Sequence, residues 1–329
     1  MKPILFLLND RWSVKKGGTN ATLMAACQRK GHDVYVTDVV HLQALNASEL
    51  FAEAILLPKL QDVKSSKTLS TRLSKCKSNR LHLGSVEAVF IRTSPGKDNT
   101  RSWAHRLALE VMRLASDNGV NIVNHPQGLQ KATSKLYTVC LPPEFVPRTL
   151  VCHSLNSVQA FAKELAGPMV IKPLIGSQGR DVFFIDGPES LNTRQVVDIL
   201  GRTGYLIVQE FLPDASDGDI RVLTLDDSLV GAGRPIGIRR TPAAGEMRSN
   251  ISLGGTAAVV ELSQRQAELC KRIASLLQQD GIRFSGLDLI GEKIVEVNVF
   301  SPSGLQELEN YLGADAPAEV IETLLNGIN

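Results

Sequence analysis

The chain has 329 residues, of which 43% are hydrophobic and 21% charged, and this composition suits a soluble protein of two or three domains. Its net charge of +2 gives no general attraction to polyanions, and an aromatic content of 5% is too low for a platform that stacks single-stranded bases. Nucleic acid is therefore not expected as a partner. A membrane is not expected either, because no apolar run is long enough to cross a bilayer.

The cysteines are scattered along the chain and show no C-x-x-C spacing, which favours neither a zinc site nor a disulfide framework. The start, MKPILFLLNDRW, reads as a short strand followed by polar residues and not as a secretory signal. A reducing, cytoplasmic location is therefore expected. The five cysteines are Cys27, Cys76, Cys140, Cys152 and Cys270.

The first third of the chain alternates strand-like and helical patterns. An apolar run predicts a buried strand at 4–8, helical spacing predicts a helix at 19–30, and Gly31 ends it before a strand at 34–36. This order is typical of a parallel sheet. Polar residues at 60–80 predict an exposed loop. The later predicted elements of this part are strands at 86–92 and 119–124 and a helix at 103–118.

The stretch at 168–185, PMVIKPLIGSQGRDVFFI, reads as a strand, a small-residue loop and a second strand. Gly176, Ser177 and Gly179 let backbone N–H groups approach a phosphate, and Lys172 places a positive charge at the mouth of the loop. The alternative is a surface hairpin with a solvated lysine. The Walker and Rossmann motifs are both missing, because this loop leads into a strand.

The sequence on either side of this stretch predicts mostly regular elements. Before it come a helix at 129–137, which carries Lys131 and Lys135, an extended segment at 141–147 and a helix at 157–165. After it come a helix at 191–200, strands at 205–211 and 219–225, and helices at 264–279 and 316–325. Residues 231–256 contain six glycines and several arginines, and this composition predicts a flexible lid.

Two strands, at 285–290 and 294–299, are predicted to form a hairpin. A two-residue turn would mix polar and apolar residues on both faces, whereas a three-residue turn sets Asp288 opposite Glu296 and keeps the apolar residues together. One face then presents Asp288, Glu296 and Asn298, the hard oxygen ligands that suit Mg²⁺. The alternative is a solvent-exposed face of the sheet, on which the two carboxylates would repel each other without a cation.

Together these motifs resemble the ATP-grasp superfamily and, within it, the bacterial glutathione synthetases. The similarity covers most of the chain and is dense from residue 123 to 308. It implies an α/β protein, α+β in its catalytic part. A parallel-sheet domain (1–124) would precede a two-lobed ATP-grasp fold with a lid subdomain (125–204) and a catalytic subdomain (205–329). The segments that carry the resemblance are VNHPQGLQKATSKLYT, VIKPLIGSQGRDVF, VQEFLP, DGDIRVL, GEMRSNISLGG, FSGLDLIG and EVNVFSPSGLQELE.

The resemblance also implies a role for each matching position. The ATP-binding residues would be Lys135, Lys172, Gly176, Ser177, Gly179, Gln209, Glu210, Leu212 and Asp219. Arg240, Arg248 and Asn250 would be catalytic, and Asp288, Glu296 and Asn298 would hold two Mg²⁺ ions, with Mn²⁺ as an alternative metal. The substrate would contact Arg92, Arg240, Ser301 and Pro302.

The implied activity is that of an ATP-dependent carboxylate–amine ligase. A carboxylate would attack the γ-phosphate of ATP to give an acyl phosphate, and an amine would then displace phosphate to form an amide. A glutathione synthetase joins γ-glutamylcysteine to glycine in this way. The resemblance further suggests a homo-oligomer, either a dimer or a tetramer. Its expected partners are small-molecule substrates: ATP, a dipeptide or other carboxylate, and an amino acid.

Two segments depart from the family pattern. Where the family usually has Arg-Lys-Asp-Pro-Pro, this chain has Arg92-Thr93-Ser94-Pro95-Gly96, and Phe300-Ser301-Pro302-Ser303-Gly304 replaces Thr-Ser-Pro-Thr-Cys. Two alternatives therefore stay open: an ATP-grasp ligase that joins an amino acid to a different peptide or metabolite, and a nucleotide-binding regulator that has lost turnover. The retained Lys172, Arg240 and metal face count against the regulator.

Overall fold

The computed structural model of the protein describes residues 1–326 except 13, 63–64, 177–180, 244–253 and 314. Three β-sheets follow one another along the chain, and helices pack on each of them. Strands and helices are both substantial, and the predicted α/β class is confirmed. Among the described residues, no helix combines the length and apolar composition that a membrane span requires.

The N-terminal sheet has seven strands and a parallel centre. The first strand lies in the middle of the sheet and pairs in parallel with the second and the sixth, and the sixth pairs in parallel with the seventh. The predicted parallel sheet is thereby confirmed. Its strands are β1 (Ile4–Leu8), β2 (Val34–Asp38), β3 (Leu42–Ala44), β4 (Leu50–Leu56), β5 (Asn79–His82), β6 (Ala88–Ile91) and β7 (Asn121–Val123), and its helices are α1 (Thr19–Arg29), α2 (Ser66–Leu73) and α3 (Ser102–Asp117).

The prediction of an exposed loop at 60–80 is wrong. This segment holds a 3-10 turn at Leu60–Asp62 and then α2 and the edge strand β5. Helix α2 is mostly polar, but its two leucines, Leu69 and Leu73, are one helical turn apart and fully buried. Ser65 caps the helix by accepting a hydrogen bond from the backbone N–H of Thr68.

A link between the N-terminal and middle sheets runs over the surface of the C-terminal part. It holds two short helices, α4 (Pro126–Lys131) and α5 (Leu136–Val139), where the sequence predicted a single helix at 129–137. The extended segment predicted at 141–147 contains a 3-10 turn, Pro143–Phe145. The hydroxyl of Tyr137 donates a hydrogen bond to Asp280 Oδ2 at 2.8 Å, which ties the link to the C-terminal part.

The middle sheet is antiparallel and forms a lobe with a hydrophobic core of its own. Met169 and Ile171 alternate along one strand with Val170 and Lys172, so two of these side chains enter the core while the other two face the opposite side. The strands are β8 (Thr149–Cys152), β9 (Met169–Pro173), β10 (Phe183–Ile185) and β11 (Leu206–Glu210), in the order β10-β9-β11-β8, and the helices are α6 (Leu155–Leu165) and α7 (Asn192–Gly201).

The C-terminal sheet is antiparallel and shares its cores with the N-terminal part. One core joins Leu23 of α1 to Leu308 and Val320 from the end of the chain, and a second joins residues of α3 to the C-terminal strands. The strands are β12 (Asp219–Leu225), β13 (Ser228–Leu229), β14 (Ile236–Thr241), β15 (Thr256–Glu261), β16 (Phe284–Ile290) and β17 (Lys293–Asn298), and the helices are α8 (Gln264–Gln279), α9 (Leu305–Leu312) and α10 (Asp315–Leu325).

Two predicted boundaries differ from the observed elements. The predicted subdomain limit at 204 falls before β11, yet this strand pairs with β8 and β9 of the middle sheet, so that sheet ends at Glu210. The division of the chain into domains stays a prediction. The flanks of the glycine-rich segment 231–256 are the paired strands β14 and β15, and residues 244–253 lie outside the described residues.

Candidate functional site

A cavity of about 940 Å³ lies between the middle and C-terminal sheets and brings most of the predicted site residues together. Its wall also includes Ser94–Lys97 from the N-terminal part, so all three parts of the chain contribute. The predicted residues that line it are Lys135, Lys172, Gly176, Gln209, Glu210, Leu212, Asp219, Arg240, Asp288, Glu296, Asn298 and Ser301. Four others, Ser177, Gly179, Arg248 and Asn250, lie outside the described residues.

Two half-buried lysines form one end of this cavity. Burial lowers the pKa of Lys172 to about 8 and also lowers that of Lys135, while the nearby Glu296 acts in the opposite direction on both. Lys135 Nζ donates a hydrogen bond to the carbonyl of Gly176 at 2.9 Å, at the start of the predicted phosphate loop. Desolvated cations of this kind are neutralised when a polyanion binds.

The last residues of β11 line the cavity beside the lysines. Gln209 Nε2 donates to Thr149 Oγ1 at 3.1 Å, and Glu210 Oε1 accepts from the backbone N–H of Arg148 at 2.9 Å. These bonds fix both side chains within the middle lobe. Leu212 follows them and adds an apolar surface to the same wall. A wall with one apolar and two fixed polar groups is typical of small-molecule sites.

The acidic hairpin has the predicted pairing at the site but a different turn. Ile290 pairs with Lys293 and Leu289 with Ile294, so the turn has two residues, and the predicted three-residue turn is wrong. A register shift between Asp288 and Leu289 then restores the pairing of Asp288 with Glu296. Such a β-bulge adds one residue to one strand, and it reconciles a tight turn with the hydrophobic pattern.

A buried network of arginines and aspartates forms the other end of the cavity. Arg221 contacts Asp288 through Nε and through a second nitrogen, at 2.8 Å from Oδ2. Arg240 binds Asp219 at 2.6 Å with two nitrogens and also reaches Asp288 at 3.0 Å. Burial acts to raise the pKa of Asp288, but the two arginines outweigh it and hold that pKa well below its usual range.

Arg221 was not among the predicted site residues. It lines the cavity, and its third nitrogen donates to the carbonyl of Ser303 at 3.2 Å. One sequence signal could have identified it, because Asp219 and Arg221 are two residues apart on a predicted strand and therefore share a face. Its partner Asp288 is 67 residues away, in the strand that pairs with β12, which no local pattern reveals.

The predicted substrate residues divide into two groups. Ser301 lines the cavity, whereas Arg92 is buried behind the wall, where its guanidinium donates to Asn20 Oδ1 and to the carbonyl of Pro302, each at 2.8 Å. Burial lowers the pKa of Arg92 to about 9. Arg92 and Pro302 thus tie the N-terminal part to the segment before α9, and their predicted contact with substrate stays a prediction.

The predicted metal ligands suit a cation that also uses phosphate oxygens. Glu296 forms no salt bridge or side-chain hydrogen bond with any residue that the structure describes, whereas Asp288 is shared with two arginines and accepts from Asn298 Nδ2 at 3.3 Å. Within the described residues, no group of three or more His, Cys, Asp or Glu could hold a metal ion alone. One free carboxylate and an amide oxygen, completed by substrate, fit Mg²⁺.

The fold defines the class of protein. A D-cycloserine synthetase has a TM-score of 0.66 with this chain at 17% sequence identity, and the alignment covers 98% of this chain and 99% of that one. The ATP-grasp ligase PsnB, complexed with a minimal precursor, has a TM-score of 0.64 at 18% identity over 99% of both chains. The protein therefore has the ATP-grasp fold.

The family follows from sequence comparison. The ATP-grasp domain of prokaryotic glutathione synthetase matches residues 134–313, and the N-terminal domain of the same family matches residues 4–130. The glutathione synthetase of Synechococcus elongatus is 32% identical over 318 residues, which is 94% of each chain, and that of Synechocystis sp. is 32% identical over 92% of each. The chain belongs to the prokaryotic glutathione synthetase family. The predicted resemblance and the predicted class, an ADP-forming carboxylate–amine ligase, are confirmed.

Proposed function

We propose that the protein joins γ-glutamylcysteine to glycine and converts ATP to ADP and phosphate in the same reaction. The observation that carries this proposal is the cavity itself, where two desolvated lysines, a free glutamate and an arginine–aspartate network face one space in a chain of this family. Such a cavity has cations for a triphosphate and for a substrate carboxylate, and no nucleophile of its own is needed.

The lysines and the end of β11 are proposed to bind ATP. Lys135 and Lys172 would neutralise its phosphates, and Gln209, Glu210 and Leu212 would border adenine and ribose, with Asp219 nearby. Because Lys135 is bonded to Gly176, a phosphate bound by Lys135 would lie beside the first residue of the predicted phosphate loop. The roles of Ser177 and Gly179 in this loop rest on the family resemblance alone.

The metal would be held by Glu296 and Asn298, with Asp288 shared between it and the arginines. Mg²⁺ is the proposed ion, with Mn²⁺ as an alternative, because hard oxygen donors suit both. A divalent cation in this place would neutralise charge on the phosphates. Arg221 keeps Asp288 ionised and in place, which ties the first strand of the hairpin, β16, to its neighbour β12.

The arginines are proposed to act on the carboxylate substrate. Arg240 would neutralise the donor carboxylate and the transferred phosphoryl group, and it is held in place by Asp219. The carboxylate oxygen would form a bond to the γ-phosphorus as ADP leaves, and the amine would then attack the acyl carbon as phosphate leaves. Positioning and electrostatics contribute most to such a transfer. The catalytic roles of Arg248 and Asn250 stay predictions.

The test is ADP release with ATP, Mg²⁺, γ-glutamylcysteine and glycine, with each component omitted in turn. The proposal expects release that requires all four components and yields glutathione. No dipeptide-dependent release from protein that still binds ATP would overturn it in favour of the second candidate, a ligase for another peptide or metabolite. The altered wall at Ser94–Lys97 favours that candidate, because it lines the cavity where the family pattern usually has an acid.

The cellular location and the oligomeric state of the protein are part of the same proposal. We propose that it acts in the cytoplasm as a homo-oligomer on small molecules. Light scattering on the purified protein would measure the oligomeric state, and a monomer at working concentration would contradict that part of the proposal.

A further inference from the structure

The carboxylates that line the cavity differ in whether the protein neutralises them. Asp219 and Asp288 are bound by arginines, and Glu210 accepts a backbone N–H. Of the described carboxylates of the wall, three have no hydrogen bond or salt bridge to a described residue, and these are Asp181, Glu296 and Glu307. Asp181 is exposed beside the glycine loop, and Glu296 belongs to the proposed metal face. Glu307 is half-buried and has no role in the mechanism above.

The helix that carries Glu307 is fixed on both sides. Gln306 and Glu309 bond to Thr22 Oγ1 of helix α1, and Glu309 also pairs with Arg29. Leu305 and Leu308 are buried in the core. Glu307, between these contacts, is the acidic residue of this helix that lines the cavity.

The start of this helix packs directly on the arginine end of the cavity. A Cβ on Gly304 would lie 3.6 Å from Cγ of Arg221 and only 2.7 Å from Cδ1 of Ile238, so the backbone approaches the C-terminal sheet closely here. The backbone N–H groups of Gly304 and Leu305 both donate to Thr19 Oγ1, at 3.2 and 3.3 Å. Glu307 is therefore held one helical turn from the residues that contact Arg221.

We propose that Glu307 binds an ammonium group of a substrate, an inference that rests on the proposed function. The described cations of the wall suit phosphates and carboxylates, but a ligase of this class also takes an amine, which arrives protonated in water near neutral pH. A carboxylate without a protein partner, in a partly desolvated wall, gives such a group a charge-assisted hydrogen bond. Two substrates could supply it: the acceptor amino acid, whose ammonium group would lose a proton to water before the amine attacks, or the donor, through a free α-amino group.

The variant Glu307→Gln keeps the shape and removes the charge. We expect KM for the substrate whose ammonium it binds to rise about ten- to a hundredfold, because hydrogen bonds to charged groups contribute on that order, while KM for ATP changes less than about twofold. Glu307→Asp should recover part of the loss. Glu309→Gln on the same helix is the matched control, because Glu309 pairs with Arg29 outside the cavity, and its KM values should match those of the wild-type protein.

A donor that lacks its α-amino group separates the two sources. If Glu307 binds the donor, glutaryl-cysteine should be a poor substrate of the wild-type protein, and Glu307→Gln should weaken it no further. If Glu307 binds the acceptor, KM for glycine should rise in the variant with either donor. A purely structural glutamate, stabilising the first turn of the helix, would lower Tm and leave both KM values unchanged.

The proposal would be overturned by KM values for both substrates within about twofold of wild type in Glu307→Gln. Failure of the proposed function has a different signature, since the wild-type protein itself would then release no ADP with these substrates, and both proposals would fall together.

Discussion

The lysine end and the arginine end of the cavity hold their charges in opposite ways. Lys172 is half-buried and has no hydrogen bond or salt bridge to any described carboxylate, and desolvation lowers its pKa to about 8. Arg240 is also largely buried, but Asp288 and Asp219 outweigh the desolvation and raise its pKa above the ordinary value. Among the described residues, the lysines therefore lack a carboxylate partner until a ligand binds, whereas the arginines already have carboxylate partners in the protein.

This difference separates stability from activity. Charged groups that have partners in the protein stabilise the fold as well as the site, whereas desolvated groups that await a ligand favour binding and do not stabilise the fold. A substitution at the arginine end should therefore lower the free energy of unfolding. A substitution at the lysine end should leave the fold intact and reduce turnover.

The largest expected effect is that of Asp288→Asn on stability. Removing one charge from a buried ion pair leaves the partner uncompensated, so we expect the free energy of unfolding in urea to fall by about 3–5 kcal/mol. Asp117→Asn is the control, because Asp117 pairs with Arg113 on the surface and should cost less than about 1 kcal/mol. Equal losses in the two variants would show that the buried network at the arginine end stabilises the fold no more than a surface ion pair does.

The next effect is that of Glu296→Gln on turnover. The variant removes a charge from the proposed metal face without changing its shape, and ADP release should fall at least ~10²-fold while unfolding in urea changes little. Glu292→Gln, in the exposed turn of the same hairpin, should behave as the wild type. Activity within a factor of a few of wild type would exclude Glu296 from the mechanism.

The smallest of these effects is a pH dependence of ATP binding. Lys172 is charged below its pKa of about 8 and loses its proton as pH rises through that value, so the affinity for ATP should fall. Between pH 7 and 9 we expect a loss approaching tenfold in calorimetric titrations of the ligand-free protein. Lys172→Arg, which stays charged, should flatten the profile, and an equal slope in the two proteins would assign the dependence to another group.

The same lysine gives a stability effect of opposite sign. Because its pKa is lower in the folded chain than in the unfolded one, the unfolded chain binds more protons between about pH 8 and the ordinary lysine value. The contribution of Lys172 to the free energy of unfolding should therefore increase as pH rises through that window. Binding and stability thus respond to the same titration in opposite directions.

Local patterns predicted most of the fold. Ile4–Leu8 is fully buried as its apolar run indicates, and alternation along Met169–Pro173 gives Lys172 its side of the sheet. The helix Ser66–Leu73 was missed because Ser, Thr and Lys dominate it and only two leucines reach the core. The Ser65 cap and the spacing of Leu69 and Leu73 were the signals available.

The site was less predictable where it depends on pairing between distant strands. The hydrophobic pattern gave the opposition of Asp288 and Glu296, but not the bulge that allows it, because turn length and register can compensate each other. The partnership of Arg221 with Asp288 arises from the pairing of β12 with β16. The position of Arg92 behind the wall depends on Asn20 and Pro302, which come from two different parts of the chain.

We propose that the two ends of the cavity act on one phosphoryl transfer, from ATP at the lysines to a carboxylate at the arginines. Donor peptide labelled with ¹⁸O in its reacting carboxylate tests this directly, by mass spectrometry of the phosphate released during turnover. An acyl phosphate requires one carboxylate oxygen to leave with the phosphate, so we expect one ¹⁸O in each phosphate formed. Unlabelled phosphate from a reaction that still forms the amide would contradict it.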